Sequence, residues 1–269
     1  MKSLKQGLIF VVLTPLLCIF TYPLIWLFGA CFKTNREIYQ PNILFPEKWD
    51  SSHFSTLFQG EVIDFWSLWG NSLLTTLSQS VVAVLLSSMA AYAFVFKDFR
   101  YKRLLFIIAV ALILIPKQIM IFPLREQIFS MNLNDNLLAV ILPGALSGIG
   151  VLFFIQIYRH LPEEFIHMAK IEGAGDFRAY LSTLPLIISP IFCCFMIHFI
   201  MAWQQHLMPL MLLDQNQLLP VAMSSLLTSS LGYPLAVLMC SAVMCILPSI
   251  ILFLVSFKNF RSALSEHVC

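Results

Sequence analysis

Six times along this chain, about twenty or more residues pass with almost no charge: roughly Gly7–Phe32, Gly70–Phe96, Leu104–Leu124, Leu137–Tyr158, Leu184–Trp203 and Pro234–Phe257. A helix rises about 1.5 Å per residue and bilayer hydrocarbon is about 30 Å thick, so about 20 apolar residues make one crossing. In lipid each backbone N–H and C=O must be satisfied within the segment, which a helix does and an isolated strand cannot. The runs predict an all-α, multi-pass membrane protein with six transmembrane helices, forming one domain over residues 1–269. Composition agrees. Of the 269 residues 59% are hydrophobic and 11% charged, whereas a water-soluble domain carries about 25% charged residues. The net charge of +2 is scattered, so no nucleic-acid partner is expected.

The first run follows Lys2 and Lys5 as a secretory signal would, but it is too long for one and has no small-residue cleavage site, so it is read as a retained span. Lysine and arginine placement orients the spans. With the N-terminus inside, Lys97, Arg100, Lys102 and Arg103 fall in one inner loop and Arg159, Lys170 and Arg178 in the next; the outer segments hold only Lys33, Arg36, Lys48 and Arg125. Both termini are then cytoplasmic. Residues 33–69 form an outer loop whose Trp66 and Trp69 suit an interfacial belt, and residues 204–232 a short outer or re-entrant segment.

One inner segment, Leu161–Tyr180, reads LPEEFIHMAKIEGAGDFRAY. Pro162 suits a first helical position, and Glu163 and Glu164 complement the positive end of a helix dipole. Phe165, Met168, Ala169 and Glu172 recur at helical spacing, Gly173 fits a helix stop, and Asp176 is a candidate N-cap for a helix that runs through Phe177 and Tyr180 into the fifth span. Periodicity alone allows either a plain surface connector or a knob that docks a cytoplasmic partner.

This segment, extended to LPL at 184–186, resembles the cytoplasmic loop of permease subunits of bacterial ABC importers, and within them the maltose-type carbohydrate branch. FKTNREIYQPNILFP at 32–46, AYAF at 91–94, IPKQIMIFPL at 115–124, FIMAWQQHLMPL at 199–210 and LPVAMSSL at 219–226 are similar to further stretches of that branch, in the same order. The match departs where Glu-Ala-Ala is replaced by His167, Met168 and Ala169, where Glu172 stands for an aspartate and where Gly175 stands for a serine. The resemblance implies a type I importer permease fold in a bacterial cytoplasmic membrane. It also implies a sister permease, two copies of a cytoplasmic ABC ATPase that uses ATP and Mg, and an extracytoplasmic solute-binding protein. This chain would bind no cofactor or metal and catalyse nothing. It has no phosphate-cradling GxxxxGK[ST] loop of its own. ATPase coupling would fall to residues 160–182, through Glu163, Glu164, Phe165, His167, Met168, Ala169, Glu172, Gly173, Ala174 and Phe177.

Polar groups within spans are candidates for a solute path. Lys117, about 20 Å along the third span at the standard rise, either reaches out to the interface or, with Gln118, faces the path. Trp203 beside Gln204, Gln205 and His206 suits a sugar's flat face and hydroxyls, or else an ordinary interface. His198 reads as a helix–helix contact, and Gly144 and Gly148 give a GxxxG spacing read first as packing within the chain. Cysteines inside apolar runs read as small hydrophobes. The competing reading, a stand-alone ion-coupled secondary transporter, calls for carboxylates within the spans, and these spans contain essentially none.

Overall fold

The computed structural model describes residues 2–40, 42–116, 118–162, 164–215, 217–228 and 234–266. Among them every regular element is a helix. Among the described residues four helical segments are long and apolar enough to cross a membrane: Phe10–Ala30, Phe65–Phe96, Asp176–Trp203 and Leu235–Phe257. A bent pair, Leu138–Gly144 and Gly148–Arg159, forms a fifth candidate with a 43° angle across its break. The run expected as a third span, Leu104–Leu124, is not one helix. It divides into a helix at Lys102–Leu114 and another at Ile121–Ser130. Pro116 accounts for the division: a proline pushes the preceding residue out of helical geometry, and Ile115 adopts φ −81°, ψ 118°.

The chain folds as two compact units, Met1–Leu68 with Ala222–Pro248, and Trp69–Val221 with Ser249–Cys269. In the first unit, α1 (Lys2–Ala30) is apolar on all sides and leaves Phe10, Leu17 and Phe20 exposed, as a lipid-facing helix does. After it, α2 (Asn35–Ile38) is held by a capping box. The Thr34 backbone N–H donates to Glu37 Oε2 at 2.7 Å, and Thr34 Oγ1 accepts from the Glu37 N–H. Lys33 is fully buried, donates to the Ile43 carbonyl, and lies 5.3 Å from the Trp26 ring centroid. Burial holds its ammonium below the usual lysine range, an effect Glu37 partly offsets. Next comes α3 (Ser52–Phe58), where Phe54 and Phe58 continue a chain of ring contacts from Phe32 to Phe65.

The second unit holds most of α4 (Phe65–Phe96), together with α5 (Lys102–Leu114), α6 (Ile121–Ser130), α7 (Leu138–Gly144) and α8 (Gly148–Arg159). It also holds α9 (Glu164–Ile171), α10 (Asp176–Thr183), which runs through a 3-10 turn at Leu184–Ile187 into α11 (Ile188–Trp203), and α12 (Leu207–Leu212). Its main core gathers Tyr92, Phe154, Tyr158, Ile166, Tyr180 and Ile187 from five different helical segments. A second cluster seats α12 and the start of α13 (Leu219–Thr228) on α6 and α7 through Ile128, Val140, Leu212 and Val221. Here Asp135 Oδ1 accepts from the N–H groups of Asp214 and Gln215, and Ser72 Oγ accepts from that of Leu219. The N–H groups of Asp214, Gln215 and Leu219 are thus met by protein, as an irregular stretch near a membrane requires. The last helix, α14, is Leu235–Glu266.

Candidate functional site

Two places in the second unit invert the usual rule of apolar inside and polar outside. The first is α9. Its start is fixed near Pro162, whose carbonyl accepts from the Phe165 N–H. Its end is a Schellman motif: the Gly173 N–H bonds the Lys170 carbonyl and the Ala174 N–H the Ala169 carbonyl, both at 3.0 Å, with Gly173 at φ +83°. No atom would meet a Cβ at Gly173, so the glycine is required by the backbone angle and not by crowding. The sequence expectation of a glycine stop is thereby met. Asp176 differs from expectation: Gly175 holds the N-cap position, and Asp176 is the first helical residue of α10 with its carboxylate turned to Lys97.

Between these ends α9 buries only Ile166 and turns Phe165, Met168 and Ile171 outward, with Ile171 85% exposed. Glu164, His167 and Glu172 are exposed around this face, Ala169 and Ala174 are half-buried, and Phe177 is exposed beyond the glycine. Glu163 lies outside the described residues. Sequence spacing brought out Phe165 and Met168 but passed over Ile171, whose place one turn beyond Met168 was the available signal.

The segment is tied to the long helix α4 at two heights. Lys97 pairs with Asp176 just past the end of α4, and this hydrogen bond raises the Lys97 ammonium above its usual range against the pull of desolvation. One layer in, Ser88 Oγ and the Tyr180 hydroxyl share a hydrogen bond of 2.7 Å. The Tyr92 ring sits edge-on to both Tyr158 and Tyr180.

The second inversion lies further along α4, where Ser72, Thr75, Thr76, Gln79, Ser80 and Ser87 are all buried. Most find near partners, such as Ser80 Oγ on the Thr76 carbonyl. Gln79 Oε1, in contrast, is buried with no hydrogen-bond partner. Its carboxamide lies against Gly144, where any Cβ would overlap it, and Gly148 lies as closely against the Ala109 carbonyl. The GxxxG spacing is therefore used for packing within this chain. Between the two glycines the helix breaks, and α8 restarts with Ser147 Oγ accepting from the Gly150 N–H at 3.0 Å.

A cavity of about 310 Å³ opens at this break, lined by Gln79, Gln118, Ser147, His198 and Gln205 among others. A second cavity, of about 470 Å³, shares Gln118 and Gln205 and adds Gln204 and His206. The structure thus converges four of the residues expected along a path. Trp203 lines neither cavity; it is buried and stacked on Phe199 at 5.8 Å and 8°. Lys117 lies outside the described residues. Gln79 and Ser147 were passed over in sequence, although an amide on the same helical face as Ser72, Thr76 and Ser87 is a detectable pattern. Among the described residues no group of three or more His, Cys, Asp or Glu side chains is placed to hold a metal.

The family model for binding-protein-dependent transport system inner membrane components matches residues 83–261, from mid-α4 to the last helix. The chain belongs to that family. It is 29% identical over 250 residues to the arabinooligosaccharides transport system permease protein AraQ of Halalkalibacterium halodurans, covering 91% of this chain and 89% of that one. It is 27% identical over 208 residues to the sn-glycerol-3-phosphate transport system permease protein UgpE of Salmonella choleraesuis, covering 75% and 74%. Its fold matches a chain in the crystal structure of a bacterial ABC transporter involved in the import of the acidic polysaccharide alginate, with a TM-score of 0.81 over 97% of this chain and 98% of that one at 20% identity. The protein is a permease subunit with an importer-type membrane fold.

Proposed function

We propose that this permease subunit carries a carbohydrate across a bacterial cytoplasmic membrane, driven by ATP hydrolysed on partner subunits. A sister permease completes the path, two copies of a cytoplasmic ABC ATPase dock beneath it, and an extracytoplasmic binding protein delivers the solute. This chain has no catalytic role; ATP and Mg belong to the ATPase. One functional domain spans residues 1–269, with both termini and the Leu161–Tyr180 segment in the cytoplasm. The carbohydrate reading is supported by what AraQ is named for.

The observation that carries the reading is the outward face of α9. Phe165, Met168 and Ile171 stand exposed on a short helix whose opposite side is anchored by Ile166. Burying one such side chain yields about 1.5–3 kcal/mol, so a groove that took all three would bind α9 firmly. Glu163, Glu164, His167, Ala169, Glu172, Ala174 and Phe177 border that contact. A push on α9 passes through the rigid Gly173 stop to α10, and from there through the Lys97–Asp176 and Ser88–Tyr180 links to α4. Because α4 also carries Gln79, movement at the ATPase reaches the cavity that Gln79 lines with Gln118 and Gln205, residues shared with the second cavity of Gln204 and His206; Lys117 and Trp203 complete the residues assigned to this path region.

The test is Phe165→Asp in the assembled importer. Co-purification of the ATPase should fall by tenfold or more, and nucleotide-driven uptake with it, while the chain stays in the membrane beside its sister. Uptake at the unmodified rate would refute docking through α9.

A further inference from the structure

Loops on the inner side of a membrane protein are expected to be basic, so positive charge there singles out nothing. Convergence does. Lys102 and Arg103, at the start of α5, and Arg159, at the end of α8, line one cavity of about 290 Å³. Its other walls are Phe94, Phe106 and Ile155. Ile155 is buried, and Phe94 and Phe106 are half-buried with their rings edge to face at 6.1 Å. The pocket therefore has an apolar floor and a cationic rim built from two helices.

The rim is short of negative charge. Lys102 Nζ donates to the Lys97 carbonyl at 2.8 Å and to Asp98 Oδ1 at 3.2 Å, and the Asp98 side chain is fully exposed. An exposed pair of this kind holds its partners weakly. Among the described residues the guanidinium groups of Arg103 and Arg159 have no ion pair and no hydrogen bond. Each presents five N–H donors in a planar fork that fits a phosphate.

The surroundings narrow the kind of molecule. Beside the rim, Leu104, Leu105, Ile107 and Ile108 of α5 are exposed, as side chains that meet lipid tails are. Phe106 lies about 4.5 Å beyond Arg103 along the helix at the standard rise. Cationic rim and apolar floor thus follow the order in which a bilayer passes from phosphate to hydrocarbon. A free inorganic anion would use the rim and leave the floor empty. A zwitterionic lipid would fill the floor, but its ammonium brings a further positive charge to a rim that already holds three. An anionic phosphate joined to an acyl chain answers both parts.

We propose that Lys102, Arg103 and Arg159 form a binding site for the phosphodiester of an anionic phospholipid, whose acyl chain enters over Phe94 and Phe106. The site needs only that the chain lies in a membrane and does not depend on which solute it carries. A lipid held there ties the start of α5 to the end of α8, from which the chain passes directly into the Leu161–Tyr180 segment.

The test uses the complete importer in phosphatidylcholine proteoliposomes. These contain a photoactivatable phosphatidylglycerol or, in parallel, a phosphatidylcholine probe of the same design, each with its reactive group near the start of the acyl chain. Adducts are mapped by peptide mass spectrometry. The phosphatidylglycerol probe should label the peptides that carry Phe94 and Phe106 at least tenfold more than the phosphatidylcholine probe. Unlabelled phosphatidylglycerol should suppress this labelling, and inorganic phosphate should not. A cation beside an anionic headgroup is worth about fivefold in binding. The double variant Arg103→Gln with Arg159→Gln should therefore lose about tenfold or more, while Arg103→Lys with Arg159→Lys keeps most of the labelling. Arg100→Gln removes a neighbouring cation that does not line the pocket and should lose less than about twofold. Arg100, Arg103 and Arg159 are all exposed, so these variants leave the fold in place. Equal labelling by the two probes, or undiminished labelling in the double glutamine variant, would overturn the site. Suppression by inorganic phosphate would make it a free-anion site, and an equal loss in Arg100→Gln would reduce it to diffuse surface charge. Labelling seen only after the ATPase is stripped away would assign the rim to an acidic protein surface. Each of these results overturns the lipid site and leaves the permease reading intact.

Discussion

The outer face of α9 and the cavity beside α4 are opposite exceptions to one rule. On α9, Phe165, Met168 and Ile171 are apolar and exposed; in the middle of α4, Gln79 is polar and buried where a membrane helix is expected to be apolar. A fold on its own has no use for either arrangement. An exposed apolar patch is answered by a protein surface, whereas a buried acceptor without a partner is a cost of about 1–3 kcal/mol that the fold carries. The first region therefore marks a missing partner and the second a place where stability is given up. They lie on one compact unit and are joined through α4, which contacts the coupling segment at Ser88 and, just beyond its end, at Lys97.

The comparison breaks first on stability. If the α9 face serves a partner, truncating it should leave the isolated subunit unharmed, whereas truncating the other side of the same helix should not. Ile166→Ala removes a fully packed side chain and should cost about 2–4 kcal/mol; Phe165→Ala and Ile171→Ala should each change thermal stability by less than about 0.5 kcal/mol. Thermal unfolding in detergent measures both, and equal losses would mean that the outer face belongs to the core.

The cavity makes the reverse prediction. Gln79→Leu removes an unpaired buried acceptor, so it should raise the stability of the subunit, by about 1–3 kcal/mol. A drop in melting temperature would show Gln79 to be structural. At the joint, Gly173→Ala forces a side chain into φ +83° and should cost about 1 kcal/mol, with Gly173→Asn milder because asparagine tolerates that region.

The smallest effect lies outside both regions and serves as a control. Hydrogen bonds from the Glu47 and Thr34 backbone N–H groups and the Thr34 hydroxyl hold the Glu37 carboxyl below its ordinary 4.5. A depressed carboxylate stabilises the fold above its unfolded value, and the gain is lost as pH falls through the folded one. The stability difference between the unmodified chain and Glu37→Gln should therefore be constant from pH 7 to about 5 and shrink below 4.5, with no effect on solute preference.

How much of this was readable beforehand depended on whether a residue's role is local. The spans near Gly7–Phe32, Gly70–Phe96 and Pro234–Phe257 were legible because length and hydropathy alone determine them. The Gly173 stop was legible because a Schellman turn is written in a few adjacent residues. The split of Leu104–Leu124 was signalled by Pro116 but outweighed by the apolar run around it. The break at Ala145–Ser147 has a signal in Pro143 and Gly144 just before it, but not one that fixes its place, since Ser147 caps a helix only once the chain has already turned. Gln79 is hard to read from sequence because a single amide in a long span looks tolerated; the Gly144 that its carboxamide lies against is far away in sequence. Trp203 shows the same limit from the other side: its neighbours in sequence line a cavity wall that its own ring, stacked on Phe199, does not join.

The central claim is that the α9 face meets a cytoplasmic ATPase, and the direct measurement is the accessibility of residue 171. With Cys18 and Cys269 replaced by serine, Ile171→Cys should react with a membrane-impermeant maleimide in inside-out vesicles and not in right-side-out ones. Adding the ATPase should slow that reaction at least tenfold. Labelling from the outer side, or a rate that the ATPase leaves unchanged, would contradict the account.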